Sequence, residues 1–292
     1  MRTGIRCFVL LLGLTLAVSA VSAQSPQPSL AQAPVGQKPQ QNGPGGSVNA
    51  REVANRVNNP AAPVTLIQLR NVLLPGVRGM DGVVNEFQIQ PVLPMGPFAA
   101  LPLLQLMKIT LPFPSLPSPS SAAGVGDLQV FDLVSIEQSW GRWGFGPALV
   151  FPTASGELLG QGKWQAGPAI AAIYTGVKNL SAGAVLQNPI SYTGSSDRAD
   201  VNNLIITPTL TYNLEEGWFA GMSDFNWTFD WTSDGAATIL VGAQVGKIVS
   251  IGRQMVSLSI EAGGAVTEPS TTPSTGWIIG IEITPIFKGH IK

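Results

Sequence analysis

Between Val201 and Trp231 polarity alternates residue by residue, and that pattern constrains the fold more than any other stretch of the chain. Asn202, Leu204, Ile206, Pro208, Leu210, Tyr212 and Leu214 share one face; Asn203, Ile205, Thr207, Thr209, Thr211 and Asn213 share the other. After Glu215-Glu216-Gly217 the alternation resumes, with Phe225, Trp227, Phe229 and Trp231 on the apolar side and Asp224, Asn226, Thr228 and Asp230 on the polar one. Strand side chains alternate between faces, so the stretch reads as a β-hairpin with one apolar and one polar face. Each arm exceeds the ~5–6 residues of an average strand and suits the ~9–11 residues of a tilted strand crossing a bilayer. A soluble sheet makes the same pattern with its apolar face inward, so the rest of the chain has to decide between the two.

The N-terminus points to export. Arg2 and Arg6 precede an apolar run from Cys7 to Ala20, and Val21-Ser22-Ala23 supplies small residues for cleavage. Residues 1–23 thus read as a secretory signal peptide, with the mature chain expected from Gln24. Cys7 is the only cysteine, so the mature chain has none for disulfides, iron–sulfur clusters, thiolate zinc sites or nucleophiles. Loss of Arg2 and Arg6 leaves 14 basic against 17 acidic residues, a formal net charge of −3, which argues against nucleic-acid binding. Only 11% of the chain is charged, less than half the ~25% usual in soluble domains, and no later apolar run is long enough to span as a helix. This is the composition of a transmembrane β-barrel.

Residues 24–60 are rich in Gln, Pro, Gly, Ser and Ala and read as a disordered periplasmic tether, with a short helix expected over 49–58. The barrel is expected over 61–288 and a short tail over 289–292. A dozen strands (10–14) are expected, near 65–73, 83–94, 103–113, 127–138, 142–152, 163–174, 179–191, 201–214, 217–231, 236–247, 254–267 and 276–287. In the fourth, Asp132 interrupts the apolar face; the fifth and sixth carry Gly and Ala on the opposing face, which suits small inner side chains. Connections after odd-numbered strands are mostly long and those after even-numbered strands mostly tight, the arrangement of an outer-membrane barrel with both termini on the periplasmic side. Two depart from it, Thr232–Gly235 being short and Lys247–Arg253 long. Trp140, Trp143, Trp164, Trp218, Trp231 and Trp277 fall at strand ends, where interfacial aromatic girdles lie. Closure also removes the open edges of so many apolar strands. The fold expected is all-β: a transmembrane, antiparallel, up-and-down β-barrel. The soluble alternative is a secreted β-sandwich or barrel.

Several segments carry a family resemblance. FQIQPVLP (87–94), GVGDLQ (124–129), WGFGPALVFPTAS (143–155), LGQGKWQAGP (159–168) and VNNLIITPTLTYNLEEGWF (201–219) resemble the bacterial outer-membrane family named for the MetA-pathway of phenol degradation, grouped as transporters. VANRVNNPAAP (53–63) and VGKIVSIGRQ (245–254) fit the same pattern, so the resemblance runs from about Arg51 to Lys288. It implies an outer-membrane barrel associated with uptake of small compounds, aromatic ones being an expectation. It also implies contact with outer-membrane lipid and the barrel-assembly machinery. That machinery typically reads a terminal aromatic, whereas Phe287 here is followed by five further residues.

Catalysis has little to work with. The sole histidine, His290, lies beyond the last expected strand, so neither a histidine base beside a nucleophile nor a histidine metal site can be assembled. The glycines of GQGKW (160–164) lack a following helix and read as turn glycines rather than a phosphate cradle. No cofactor is expected. With the aliphatic faces toward lipid, Arg70, Glu86, Lys108, Asp224, Asp230, Glu261 and Glu282 are expected to line the lumen. Arg70, Glu86, Glu261 and Glu282 lie near the middle of four strands that become neighbours on closure. Two readings stay open for them: a charged constriction in a pore for small solutes, or a salt-bridge network filling a plugged, non-conducting barrel.

Overall fold

The computed structural model describes residues 64–98, 103–269 and 276–287. The expected signal peptide, tether, 49–58 helix and His290 tail lie outside the described residues. Twelve antiparallel strands form the wall. They are β1 (Thr65–Pro75), β2 (Val83–Met95), β3 (Leu104–Leu116), β4 (Leu128–Gln138), β5 (Gly141–Phe151) and β6 (Lys163–Tyr174), then β7 (Leu180–Gln187, continued by Ile190–Gly194), β8 (Asn203–Asn213), β9 (Trp218–Met222 and Trp227–Asp230), β10 (Ala236–Ile251), β11 (Gln254–Thr267) and β12 (Trp277–Phe287). Each pairs with its sequence neighbours, and β12 pairs with β1 from Thr65 opposite Phe287 to Leu73 opposite Ile279. The sheet is therefore a closed barrel, and closure pairs the backbone of what would otherwise be two open edges.

The outside of this wall is apolar. Phe145, Ile170, Leu210, Val241, Val245, Leu258, Ile260, Ile279, Ile281 and Ile283 are all exposed. An apolar surface this continuous is far beyond what a soluble monomer displays, and it forms the band that faces hydrocarbon in a membrane barrel. The tryptophans and tyrosines other than Trp227 sort into two levels. Trp140, Trp143, Tyr174, Tyr212 and Trp218 sit by the rim from which β1 starts; Trp164, Tyr192, Trp231 and Trp277 sit by the opposite one. Lys247 reinforces the first level, its ammonium 4.9 Å from the Trp218 ring centroid.

The connections also sort by rim. On the β1-start side, residues 139–140, 175–179, 214–217 and 252–253 make short links. The apparent anomaly at Lys247–Arg253 disappears, because β10 runs on to Ile251 and leaves a two-residue turn. Gly252 takes φ +62 there, a conformation that disfavours any side chain. The short link after β9 is real: Asp230 accepts hydrogen bonds from the Thr232 backbone and from the Thr232 and Ser233 hydroxyls, folding residues 231–235 into one tight turn.

One strand departs from regular pairing, and the departure reshapes the interior. Across β9, Met222 pairs with Ala243 and Trp227 with Ile239, so four residues (223–226) face three (240–242) on β10. The same single-residue excess appears against β8. One extra residue is a bulge, and it reverses which side chains point inward. Phe219 and Gly221 face in, whereas Trp227 and Phe229 face out. The hairpin reading put Phe225 on the lipid side with Trp227. It instead lies inside, 4% exposed, because the bulge separates the two. Gly242 and Gly263, paired across β10 and β11, make room for its ring. A Cβ on Gly242 would stand 2.5 Å from Phe225 Cε2 and 2.6 Å from the Ala262 carbonyl oxygen. Gly242→Val is expected to expel the ring and lower barrel stability by about 1–3 kcal/mol, the usual cost of overpacking. Urea titration of the refolded variant checks this, and an unshifted midpoint would contradict the packing.

Candidate functional site

The lumen contains a cavity of about 260 Å³ bordered by residues from all twelve strands. Its composition changes along the axis. On the β1-start side most inward positions are apolar, Arg142, Thr211 and Ser257 being exceptions. Leu66, Val92 and Leu106 pack with Ile286, and Ile286 also packs with Phe219, Ile248 and Met255. Ile173, 1% exposed, lies at the matching level of β6. Around β4–β7, Leu133, Ala148, Ala169 and Ala171 pack with Phe131 and Val185. The small inward residues expected on the fifth and sixth strands are what let those larger chains in. The result is a largely apolar collar around one end of the lumen, interrupted at β5 by Arg142, which pairs with Glu137.

Beyond the collar the lining turns polar and charged. Arg70 on β1 donates from Nε to Glu261 Oε1 at 2.7 Å, and its Nη2 lies 2.6 Å from the same oxygen. The two side chains are 14% and 9% exposed. Phe225 caps the pair, its ring centroid 5.6 Å from the guanidinium carbon, which places the cation on the electron-rich ring face. Glu282, opposite Arg70 in register, accepts hydrogen bonds from Thr284 Oγ1 at 2.7 Å and Gln68 Nε2 at 3.3 Å. On β2 the inward side chains form a ladder in which Gln90 donates to Gln88 and Gln88 to Glu86. Thr207, Thr209 and Thr211 line the β8 wall.

Five of the seven charged positions expected in the lumen border the cavity: Arg70, Lys108, Asp224, Glu261 and Glu282. Asp224 and Lys108 join the cluster by reaching across the barrel, where they interact electrostatically with Arg70 and Glu282. Glu86 sits beside it at the end of the glutamine ladder. Asp230 is different, standing at the end of β9 and occupied in capping the 231–235 turn, which sequence alternation does not reveal. Sequence reading missed Phe225, the glutamine ladder and the collar. Apolar residues on the inward face (Leu66, Val92, Leu106, Ile286) were the available signal for the collar. Asp132 remains on the outer face, between outward-facing Met107 and Pro147, with its Oδ1 unpartnered.

A second recess of about 270 Å³ lies between the 152–162 and 195–202 loops at the opposite rim. Most of its polar groups are engaged in loop structure. Asp127 accepts from the backbone of Ala154 and Gln161, and Arg198 donates to the Gly160 and Gln161 carbonyls.

No family model and no curated protein matches the chain. Among solved structures it is similar to an outer-membrane channel from Pseudomonas putida F1, with TM-score 0.55 and 14% identity over 77% of this chain and 94% of that one. Two others are the NanC porin (TM-score 0.49, 10% identity, 76% of this chain and 99% of that one) and the outer-membrane phospholipase A from Escherichia coli (0.41, 11%, 83% and 99%). The likeness to the Pseudomonas putida channel is one of fold, a closed antiparallel barrel.

Proposed function

We propose that the chain is an outer-membrane channel for small molecules in a Gram-negative-type bacterium, delivered through a cleaved signal peptide and inserted by the barrel-assembly machinery, which reads Phe287 in a non-terminal position. The observation that carries this reading is the lumenal cavity, bordered by every strand and lined in its middle by charged and hydrogen-bonding side chains. A barrel that served only as a rigid body would gain nothing from leaving Lys108 and Asp224 on an open cavity wall. The alternation of short and long connections supports a periplasmic β1-start rim. The family resemblance in the sequence supports a transporter, with aromatic compounds among its solutes; Phe131 and Phe219 on the wall suit such a body.

The rival reading, a structural or ligand-binding barrel that does not conduct, is favoured by the apolar collar, since hydrophobic constrictions close pores by expelling water. Planar-bilayer recording separates the two. A channel gives discrete current steps. Three basic and three acidic groups border the cavity, but Arg142 is already paired with Glu137. The remaining wall charge is acidic, so a salt gradient is expected to give a reversal potential of the sign for cation preference. Silence from barrels whose folding is verified by heat-modifiable gel migration would establish the closed reading, and an anion preference would contradict the lumenal charge.

A further inference from the structure

The Arg70–Glu261 bridge leaves two lumenal charges unused. Lys108 is on β3 and Asp224 on β9, and both border the cavity. In a ring of twelve strands these stand six places apart, on opposite walls. Each senses the other's charge. Among the described residues, however, neither makes an ion pair or a hydrogen bond with any side chain. Asp224 is exposed to the cavity and Lys108 partly so. The other charges on the cavity wall are engaged, Arg142 with Glu137 among them. Glu261 holds Arg70 and Glu282 is hydrogen-bonded to Gln68 and Thr284.

A fixed ammonium and a fixed carboxylate on opposite walls are complementary to a solute carrying both charges. A monoanion would pair with Lys108 but meet Asp224 and Glu282; a monocation would pair with Asp224 but meet Lys108 and Arg70. A zwitterion satisfies both walls and brings no net charge into a poorly hydrated space. The cavity, about 260 Å³, lies at the small end of ligand sites, and Phe131 and Leu133 offer apolar surface for the body of the solute. We propose that the middle of the lumen is a subsite for a small, amino-acid-like zwitterion, its carboxylate on Lys108 and its ammonium on Asp224. The subsite rests on the reading of the lumen as a solute passage.

The test is calorimetric titration of the full folded barrel in detergent with phenylalanine, phenylacetate and phenethylamine, which share a ring and differ in charge. Each charged arm is a charge-assisted contact, so phenylalanine is expected to bind saturably and at least about tenfold more tightly than either single-charge compound. Lys108→Met should bring phenethylamine level with phenylalanine, and Asp224→Asn should do the same for phenylacetate. Equal affinity for the three compounds, or no saturable binding to wild-type barrels with verified folding, overturns the subsite even if the variants fail to fold. Bilayer current recorded in parallel keeps the two ideas apart. Current without zwitterion preference refutes the subsite and leaves the passage standing; preference without current or solute flux supports the subsite and refutes the passage.

Discussion

Arg70→Ala is expected to lower barrel stability by about 3–5 kcal/mol, the cost of leaving a buried charge without its partner. Arg70 is the only cation in ion-pair contact with Glu261 among the described residues, and it also balances Glu282 and Asp224. Its loss therefore leaves three acids around one enclosed volume with Lys108 as their remaining counter-charge. The face of Phe225 also loses its cation, worth about 0.5–2 kcal/mol. Glu261→Ala removes the other partner but leaves Arg70 facing Glu282 and Asp224, so it should cost less. The double change Arg70→Met with Glu261→Met removes both charges together and is expected to recover most of the loss, because breaking a buried pair is worse than replacing it with apolar bulk. Urea unfolding of all three in lipid vesicles, followed by tryptophan fluorescence, checks the order. Equal costs for the two single alanine variants would mean that Arg70 is not shared among the acids.

Much of this architecture was legible because a barrel wall is written locally. In β11 the alternation of Val256, Leu258 and Ile260 with Ser257, Ser259 and Glu261 fixes both the strand and its two faces. The ring order then brings Glu261, Glu282 and Arg70 together without further information, since antiparallel neighbours in a closed sheet follow sequence order. What escaped was non-local. The extra residue in β9 is invisible in its own sequence, because Phe225, Trp227 and Phe229 keep perfect alternation. The count fails only when residues 223–226 are set against 240–242 on the partner strand. Gly242 and Gly263 mark the place where an aromatic ring presses on the wall, yet each alone reads as an ordinary strand glycine. Equating apolar faces with lipid also hid the collar, for Leu66, Val92 and Leu106 are apolar and face inward. Asp230 shows the converse, a polar residue in lumenal phase whose position at the strand end gives it to a turn instead.

The collar makes its own large prediction. Phe219, 3% exposed, packs with Ile248, Met255 and Ile286 on the lumenal side of the wall. It lies so close to Gly246 that a Cβ there would stand 2.2 Å from its Cζ. Phe219→Ala is expected to destabilise the barrel by about 3–5 kcal/mol through the lost ring and the void left behind, and at the same time to raise ion conductance severalfold. The second effect follows because a dry constriction blocks ions by the work of wetting it, and that work falls steeply once the gap admits a continuous file of water. The two effects separate in Phe219→Leu, which keeps most of the apolar volume and should retain stability better while changing conductance little. If instead both variants conduct like the wild type, the narrowest point is not the collar. The charged belt of Arg70, Lys108 and Asp224 then sets the current, and the Arg70→Ala barrel, with a wider and more acidic lumen, becomes the variant in which conductance and cation preference rise together.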